Sequence, residues 1–150
     1  MCAAAPIALA ATSTTTFQVT ATVLSVCGVS ATNLAFGNYD ASSGTPNDAS
    51  STVTATCTNG ETYDVGLDVG TGAGATYAVR RMTNGGNTLD YSLYQDAART
   101  TVWGETIGVD TVAGVGNGAA QNLTVYGRIP INQYVASGAY TDTITVTLTY

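Results

Sequence analysis

Few side chains in this sequence could do chemistry, and most of those few are carboxylates. Asp64 and Asp68 stand four residues apart in an alternating stretch and so share one face of a strand, while Asp90 and Asp96 flank another. A pair of carboxylates is the equipment of a glycosidase. Gly85-Gly86-Asn87-Thr88-Leu89-Asp90 has the spacing of a single calcium-binding nonapeptide, and Asn122-Leu123-Thr124 has the pattern of an N-glycosylation acceptor. None of these makes a site. The nonapeptide has Thr where Gly is required and occurs once where an array is needed. The acceptor is a three-residue match in a chain with 27 threonines. The carboxylates are expected to solvate outer strand faces. Asp96 and Arg99 are expected to pair across a turn and fix the segment leading to Trp103, an exposed contact worth less than about 1 kcal/mol. No catalytic residue, cofactor or metal site is assigned.

Composition points the same way. The 150 residues carry four Arg, no Lys, no His and ten Asp plus Glu, for a net charge of -6. The common neutral-pH general base, the imidazole ligand and the Schiff-base amine are therefore all missing, and the chain is expected not to be an enzyme. Nucleic acid is excluded as a partner, because four Arg in an acidic chain cannot neutralise a run of phosphates. No apolar stretch approaches the roughly 20 residues that span a bilayer as a helix. Charged residues make up 9%, and the 17 Gly and abundant Thr that replace them are a composition of strands and turns.

The first ten residues, MCAAAPIALA, are small and apolar, and Ala8-Leu9-Ala10 has the form after which signal peptidases cut. They are expected to be the tail of a secretory signal whose basic start lies further upstream; an ordinary apolar first strand is the other reading. Cleavage after Ala10 would remove Cys2 and leave Cys27 and Cys57, an even count suited to an oxidising compartment. A bridge between them would close a loop of about 30 residues, worth about 3 to 4 kcal/mol in chain entropy. Two buried free thiols are the alternative.

Strands must position whatever function there is. Residues 14–26 (TTTFQVTATVLSV) place Phe17, Val19, Ala21 and Val23 on one face and Thr16, Gln18, Thr20 and Thr22 on the other, the pattern of a half-buried strand. Leu24 sits on the polar side of that alternation. A short strand is expected at 33–36, then a polar loop over 37–51. Val53, Ala55 and Cys57 point inward together, and Tyr63, Val65, Leu67 and Val69 form the next apolar face. Residues 78–82 and the Leu89, Tyr91, Leu93 alternation flank Asn84-Gly85-Gly86-Asn87, a hairpin by its turn chemistry. A Gly-rich loop over 108–118 precedes a strand at 123–129 that stops at Pro130. The last element, 140–150, alternates Ile144, Val146, Leu148 and Tyr150 against Thr143, Thr145, Thr147 and Thr149. Seven or eight short strands and no 3.6-residue pattern give an all-β sandwich.

The two ends carry the most information. A flexible Thr/Ser segment leads into one alternating strand, and the other ends the sequence with one Asp, no Lys and no Pro to guard its edge. Either the ends pair with each other in a closed sandwich, or each is open to another chain.

A resemblance decides between these. RRMTNGG at 80–86, LDYSLYQDAART at 89–100, VWG at 102–104, VYGRIP at 125–130 and the ending from Gly138 to Tyr150 are similar to the spore coat protein U domain family, over about residues 14 to 150. Cys27 and Cys57 fall where that family has its disulfide. The family includes subunits of archaic chaperone-usher pili, and the resemblance implies their mechanism. Such a pilin is an immunoglobulin-like sandwich lacking one strand. A periplasmic chaperone fills its groove first; at an outer-membrane usher the N-terminal extension of the next subunit replaces the chaperone, a form of β-augmentation.

On this resemblance, residues 1–10 are the signal remnant, 11–24 the donor extension and 25–150 the sandwich. Phe17, Val19, Ala21 and Val23 are the groove-filling side chains, and burying them would contribute about 5 to 10 kcal/mol before ordering costs. Ile144, Val146, Leu148 and Tyr150 are expected to line the acceptor groove and the edge to which a chaperone anchors. The expected partners are identical or related pilins in a head-to-tail polymer, the chaperone and the usher; the expected destination is the cell surface. Without a second, receptor-binding domain the expected role is that of a shaft or minor subunit in adhesion and biofilm formation. The competing reading is a secreted coat or matrix protein of the same family that folds with its own N-terminal strand in place.

Overall fold

The computed structural model describes residues 1–4 and 10–150. The signal reading of residues 1–10 rests on 5–9, which lie outside the described residues. Eight strands form in chain order: β1 (Cys27–Ala31), β2 (Asn47–Cys57), β3 (Thr62–Leu67), β4 (Arg80–Asn84), β5 (Asn87–Tyr94), β6 (Val112–Val115), β7 (Ala120–Ile129) and β8 (Val146–Thr149). They make an antiparallel five-stranded sheet, order β1-β2-β7-β5-β4, facing a three-stranded sheet, order β6-β3-β8. No helix occurs among the described residues.

The alternating apolar positions become the core. Val53, Ala55 and Cys57 of β2, Leu89, Tyr91 and Leu93 of β5, and Val125 and Ile129 of β7 meet Tyr63, Val65 and Leu67 of β3, with Trp103 between them, all buried. Trp103 donates its indole N–H to the Val65 carbonyl at 2.8 Å, which satisfies the one polar atom it brings inside. A disulfide joins Cys27 to Cys57 across the β1–β2 ladder, the bridge expected from the cysteine count.

Several local expectations are corrected. Residues 14–26 form no strand in this chain: the ladder begins at Cys27, and Phe17 and Val23 remain exposed. Alternation prepares one face for burial, but a strand also needs a hydrogen-bonding neighbour, and β1 has only β2. The two ends of the chain do not pair with each other; β8 pairs with β3. Residues 33–36 are not a ladder strand either, although Leu34 and Phe36 do turn toward the core. The Asn47 side-chain amide, donating to the Phe36 carbonyl at 3.1 Å and to the Asn38 carbonyl at 3.0 Å, stands in for a neighbouring strand. In the last element only β8 is laddered. The Gly-rich loop contains β6, the 78–82 strand is shifted to β4, and the polar loop expected over 37–51 stops short at 46, because residues 47–51 pair with 125–129 of β7 as the first half of β2.

The Asp96 and Arg99 side chains do not pair; the two residues close the turn through the backbone instead, the Arg99 N–H donating to the Asp96 carbonyl at 3.0 Å. Asp96 accepts from the backbone N–H groups of Thr100 and Thr101 at 3.0 and 2.8 Å, while Arg99 turns to the Gly127 carbonyl at 3.1 Å and the Asp48 carboxylate at 3.3 Å. Its guanidinium also lies over the Tyr126 ring. The two most specific sequence elements, LYQDAAR and YGRIP, are thus one contact seen from both sides.

Candidate functional site

Where the two sheets should close, the sandwich is open. β1 and β8 lie side by side at one edge with no ladder between them. Beyond Ala31 and Val146 the chain segments that follow β1 and precede β8 diverge, leaving a cleft whose floor is the core itself: Val53, Leu67, Tyr91, Leu93 and Val125. It has two adjoining compartments, about 560 Å³ near Ile144 and Val146 and about 1000 Å³ toward Tyr39 and Tyr134, which share Leu34, Phe36, Met82 and Tyr140.

The first wall is held from β1. Leu34 and Phe36 sit over Gly127, where a Cβ would come within 2.9 Å of Leu34 Cδ1 and 2.8 Å of Phe36 Cζ, so only glycine leaves room for them. Phe36 also meets the Tyr91 ring edge-on, with centroids 6.0 Å apart. Further along, the Tyr39 hydroxyl donates to the Pro130 carbonyl at 2.7 Å and accepts from the Gln133 N–H at 3.0 Å.

The second wall, residues 140–145, has no ladder beyond the single Thr83–Thr141 bridge, and carboxylates hold it instead. Asp142 Oδ2 accepts from the Tyr91 hydroxyl at 2.7 Å, and Oδ1 from the Thr71 N–H, the Thr71 hydroxyl and the Thr143 N–H, each at 2.8 Å. Gly70, in the left-handed region at φ +81°, passes so close to Asp142 that any side chain would displace it. Asp68 accepts from the Thr145 N–H at 2.9 Å and from the Gly70 N–H at 3.0 Å. Burial and the hydrogen bond to Asp142 push the Tyr91 hydroxyl well above its usual range, so it stays a donor.

Behind this wall Arg80 is fully buried. Nε donates to the Asp68 carbonyl at 2.8 Å, Nη1 to Tyr77 at 3.0 Å, and Nη2 to Leu67 at 3.0 Å and Trp103 at 2.7 Å. Burial lowers its pKa, as expected for a cation removed from water. One side chain thereby ties the end of β3 to two segments outside the ladders, at Tyr77 and Trp103.

Of the expected groove residues, Ile144 and Val146 line the cleft. Leu148 packs against the core where β1 and β8 lie together, and Tyr150 is exposed; neither lines the open part. Phe17, Val19 and Val23, with exposures of 87, 81 and 83%, project from a segment that touches none of these walls, and Ala21 is exposed with them. Among the described residues, that segment is fixed at its root. The Val26 N–H donates to Thr58 Oγ1 at 3.0 Å, the Val26 carbonyl accepts from the Thr58 N–H at 2.9 Å, and the Ser25 hydroxyl bonds the Glu61 carboxylate. Sequence reasoning missed Leu34, Phe36, Met82, Tyr140 and Asp142 as cleft residues. The alternation at 33–36 signalled the first two, and the glycine of YGRIP signalled the close packing above them.

The candidate carboxylates have separate structural partners. Asp64 accepts from the Thr111 hydroxyl at 2.7 Å, Asp90 pairs with Arg81 at 3.1 Å, and Asp68 is the wall contact above. Gly85-Gly86 is the β4–β5 turn, and Asn122 bonds the Thr54 hydroxyl across the β2–β7 ladder. What the cleft offers is an apolar trough flanked by an unladdered edge of β8, which suits an extended peptide.

Fold and cleft define an immunoglobulin-like β-sandwich with one edge left open. The chain belongs to the Spore Coat Protein U domain family, whose sequence profile matches residues 13–147. It is 38% identical over 91 residues to Protein U of Myxococcus xanthus, an alignment covering 59% of this chain and 50% of that protein. The chain thus spans about half the length of the curated relative it matches. Among solved structures it is similar to a chain of the CsuC-CsuE chaperone-tip adhesion subunit pre-assembly complex from the archaic chaperone-usher Csu pili of Acinetobacter baumannii. The TM-score is 0.62 and the identity 22%, covering 86% of this chain and 40% of that one, a likeness of fold. Family membership, rather than any missing side chain, makes this a structural and non-enzymatic protein.

Proposed function

We propose that this chain is a structural subunit of an archaic chaperone-usher pilus that polymerises by donor-strand exchange and serves surface adhesion and biofilm formation. One observation carries the proposal: among the described residues an exposed apolar-faced segment and an open cleft with an apolar floor occur in the same chain. Residues 17–23 of one copy enter the cleft of the next, with Phe17, Val19, Ala21 and Val23 turned to the floor. β1 and β8 part to let the strand pair with both, and Leu148 and Tyr150 then join Ile144 and Val146 as the acceptor face. Before assembly a periplasmic chaperone covers the same edge and anchors at the C-terminal strand; an outer-membrane usher presents the next subunit, and the product is carried to the cell surface. The joint is heterologous, so it extends as an open filament.

A second reading is favoured by the identity to Protein U: a secreted coat or matrix protein whose own N-terminal strand fills the cleft. The two separate in one experiment. Val19→Asp places a charge on the donor face. In the pilus reading it abolishes the ladder of polymers and leaves a chaperone-bound monomer intact; in the self-complemented reading the chain is a stable monomer before the substitution and unfolds after it. Unchanged polymers would remove Val19 as an anchor.

A further inference from the structure

The donor face does not account for Leu24. From Phe17 to Val23 the apolar residues are at odd positions and the even ones are polar; at Leu24 and Val26 the apolar residues become even. The parity switch turns apolar side chains to the face that Thr16, Gln18, Thr20 and Thr22 give to water. Leu24 is 75% and Val26 61% exposed. Their backbone is already fixed: Thr58 Oγ1 donates to the Leu24 and Val26 carbonyls at 3.5 and 3.2 Å, alongside the Ser25 and Val26 contacts described above. No free residue separates the last donor side chain, Val23, from the anchored root.

The orientation of the donor follows from the shape of the cleft and rests on the pilus-subunit reading above. The cleft is closed where β1 lies against β8 and open toward Tyr39 and Tyr140. The amino end of a donor strand can be enclosed, whereas its carboxyl end is joined to a folded domain that must stay outside. Val23 therefore lies at the open mouth, and with consecutive Cα atoms about 3.8 Å apart the root of the donor copy stands directly against that mouth.

The mouth is flanked by the loop 131–139, which presents Tyr134 at 76% exposure together with Ile131 and Val135. This loop is held rigidly at its base: the Gln133 side chain accepts from the Asp90 N–H at 2.7 Å and donates to the Asp90 carbonyl at 2.9 Å, continuing the sheet where β7 has ended. We infer that Leu24 and Val26 of one copy pack on Ile131, Tyr134 and Val135 of the next, a second interface between copies that is separate from the donor strand and locks the joint. Its occupant is a second copy of this chain, because the donor connection leaves no length for anything else to intervene.

The test separates this contact from strand exchange. The full chain carrying Val19→Asp supplies a monomer with an intact cleft, and a synthetic peptide of residues 14–23 supplies a donor without Leu24. The peptide is expected to bind the Val19→Asp chain with and without Ile131→Ser to within about twofold, since Ile131 lines neither compartment of the cleft. Polymers of chains with Val19 intact but carrying Leu24→Thr or Ile131→Ser are expected to dissociate in guanidinium about tenfold faster, and those carrying both no faster than either, the signature of one shared contact. Unchanged dissociation, additive losses, or an equal loss of peptide binding with Ile131→Ser overturns the inference while leaving strand exchange standing. If the peptide does not bind the Val19→Asp chain at all, the pilus-subunit reading fails and this contact falls with it.

Discussion

Arg80 shows how much one side chain can hold. Its guanidinium is buried among the carbonyls of Leu67 at the end of β3, of Asp68 just beyond it, and of Tyr77 and Trp103 outside the strands. Removing it strands up to four acceptors, and a buried unsatisfied acceptor costs about 1 to 3 kcal/mol. Arg80→Ala is therefore expected to lower the free energy of unfolding in urea by about 4 kcal/mol or more. Arg81→Ala breaks a half-exposed pair with Asp90 and an exposed hydrogen bond to the Ala73 carbonyl, and is expected to cost no more than about 2 kcal/mol. Equal effects would contradict this account. Asp48 is a milder case. The hydrogen-bonded Arg128 guanidinium holds its carboxyl below the usual range, with Arg99 adding to the attraction. A depressed folded-state pKa means stability that is present above the unfolded value of about 3.9 and lost as pH falls through the folded value. The difference in melting temperature between the native chain and Asp48→Asn is expected to shrink as pH falls from about 5 to about 2; a constant difference would show that the pairs with Asp48 contribute nothing.

At the scale of elements, the cleft walls are held by means other than ladders: a glycine under the first and two carboxylates under the second. Gly127→Val would drive its side chain into Leu34 and Phe36 and push the first wall outward. Overpacking of this kind costs about 1 to 3 kcal/mol. The expected result is a folded chain with an intact disulfide and at least about tenfold weaker uptake of a donor peptide; unchanged uptake would remove Leu34 and Phe36 from the cleft. Legibility in the sequence follows the same division. β3, β5, the second half of β2 and β7 from residue 123 are legible because each buries a period-two face, and the β4–β5 turn because Asn-Gly-Gly-Asn favours it; residues 47–51, polar and expected as loop, join β2 only because 125–129 of β7 lie beside them. β6 was hidden in VAGV, too short and Gly-interrupted to alternate. Residues 140–145 have the alternation of a strand, but their backbone donors go to Thr83, Asp68 and Asp142, contacts that no local pattern encodes. Arg99 was matched with the acid nearest in sequence, whereas its partner in space is Asp48.

For the molecule as a whole, the notable property is an open edge. A chain of 150 residues with a Trp-centred core and a disulfide still leaves an apolar trough open at one edge and an apolar-faced segment exposed at its N-terminal side. The alternation at 17–23 was legible in the sequence, but its partner was not, because a strand's partner is specified by an edge elsewhere. The central claim is that this edge takes the 14–24 segment of another copy. The most direct measurement is amide hydrogen exchange on the full chain carrying Val19→Asp, with and without a synthetic peptide of residues 14–24. Saturable one-to-one binding is expected, with slowed exchange at the amides of Ile144, Val146 and Leu148 as the inserted strand completes the sheet. An exchange pattern along 144–148 that the peptide leaves unchanged would contradict it.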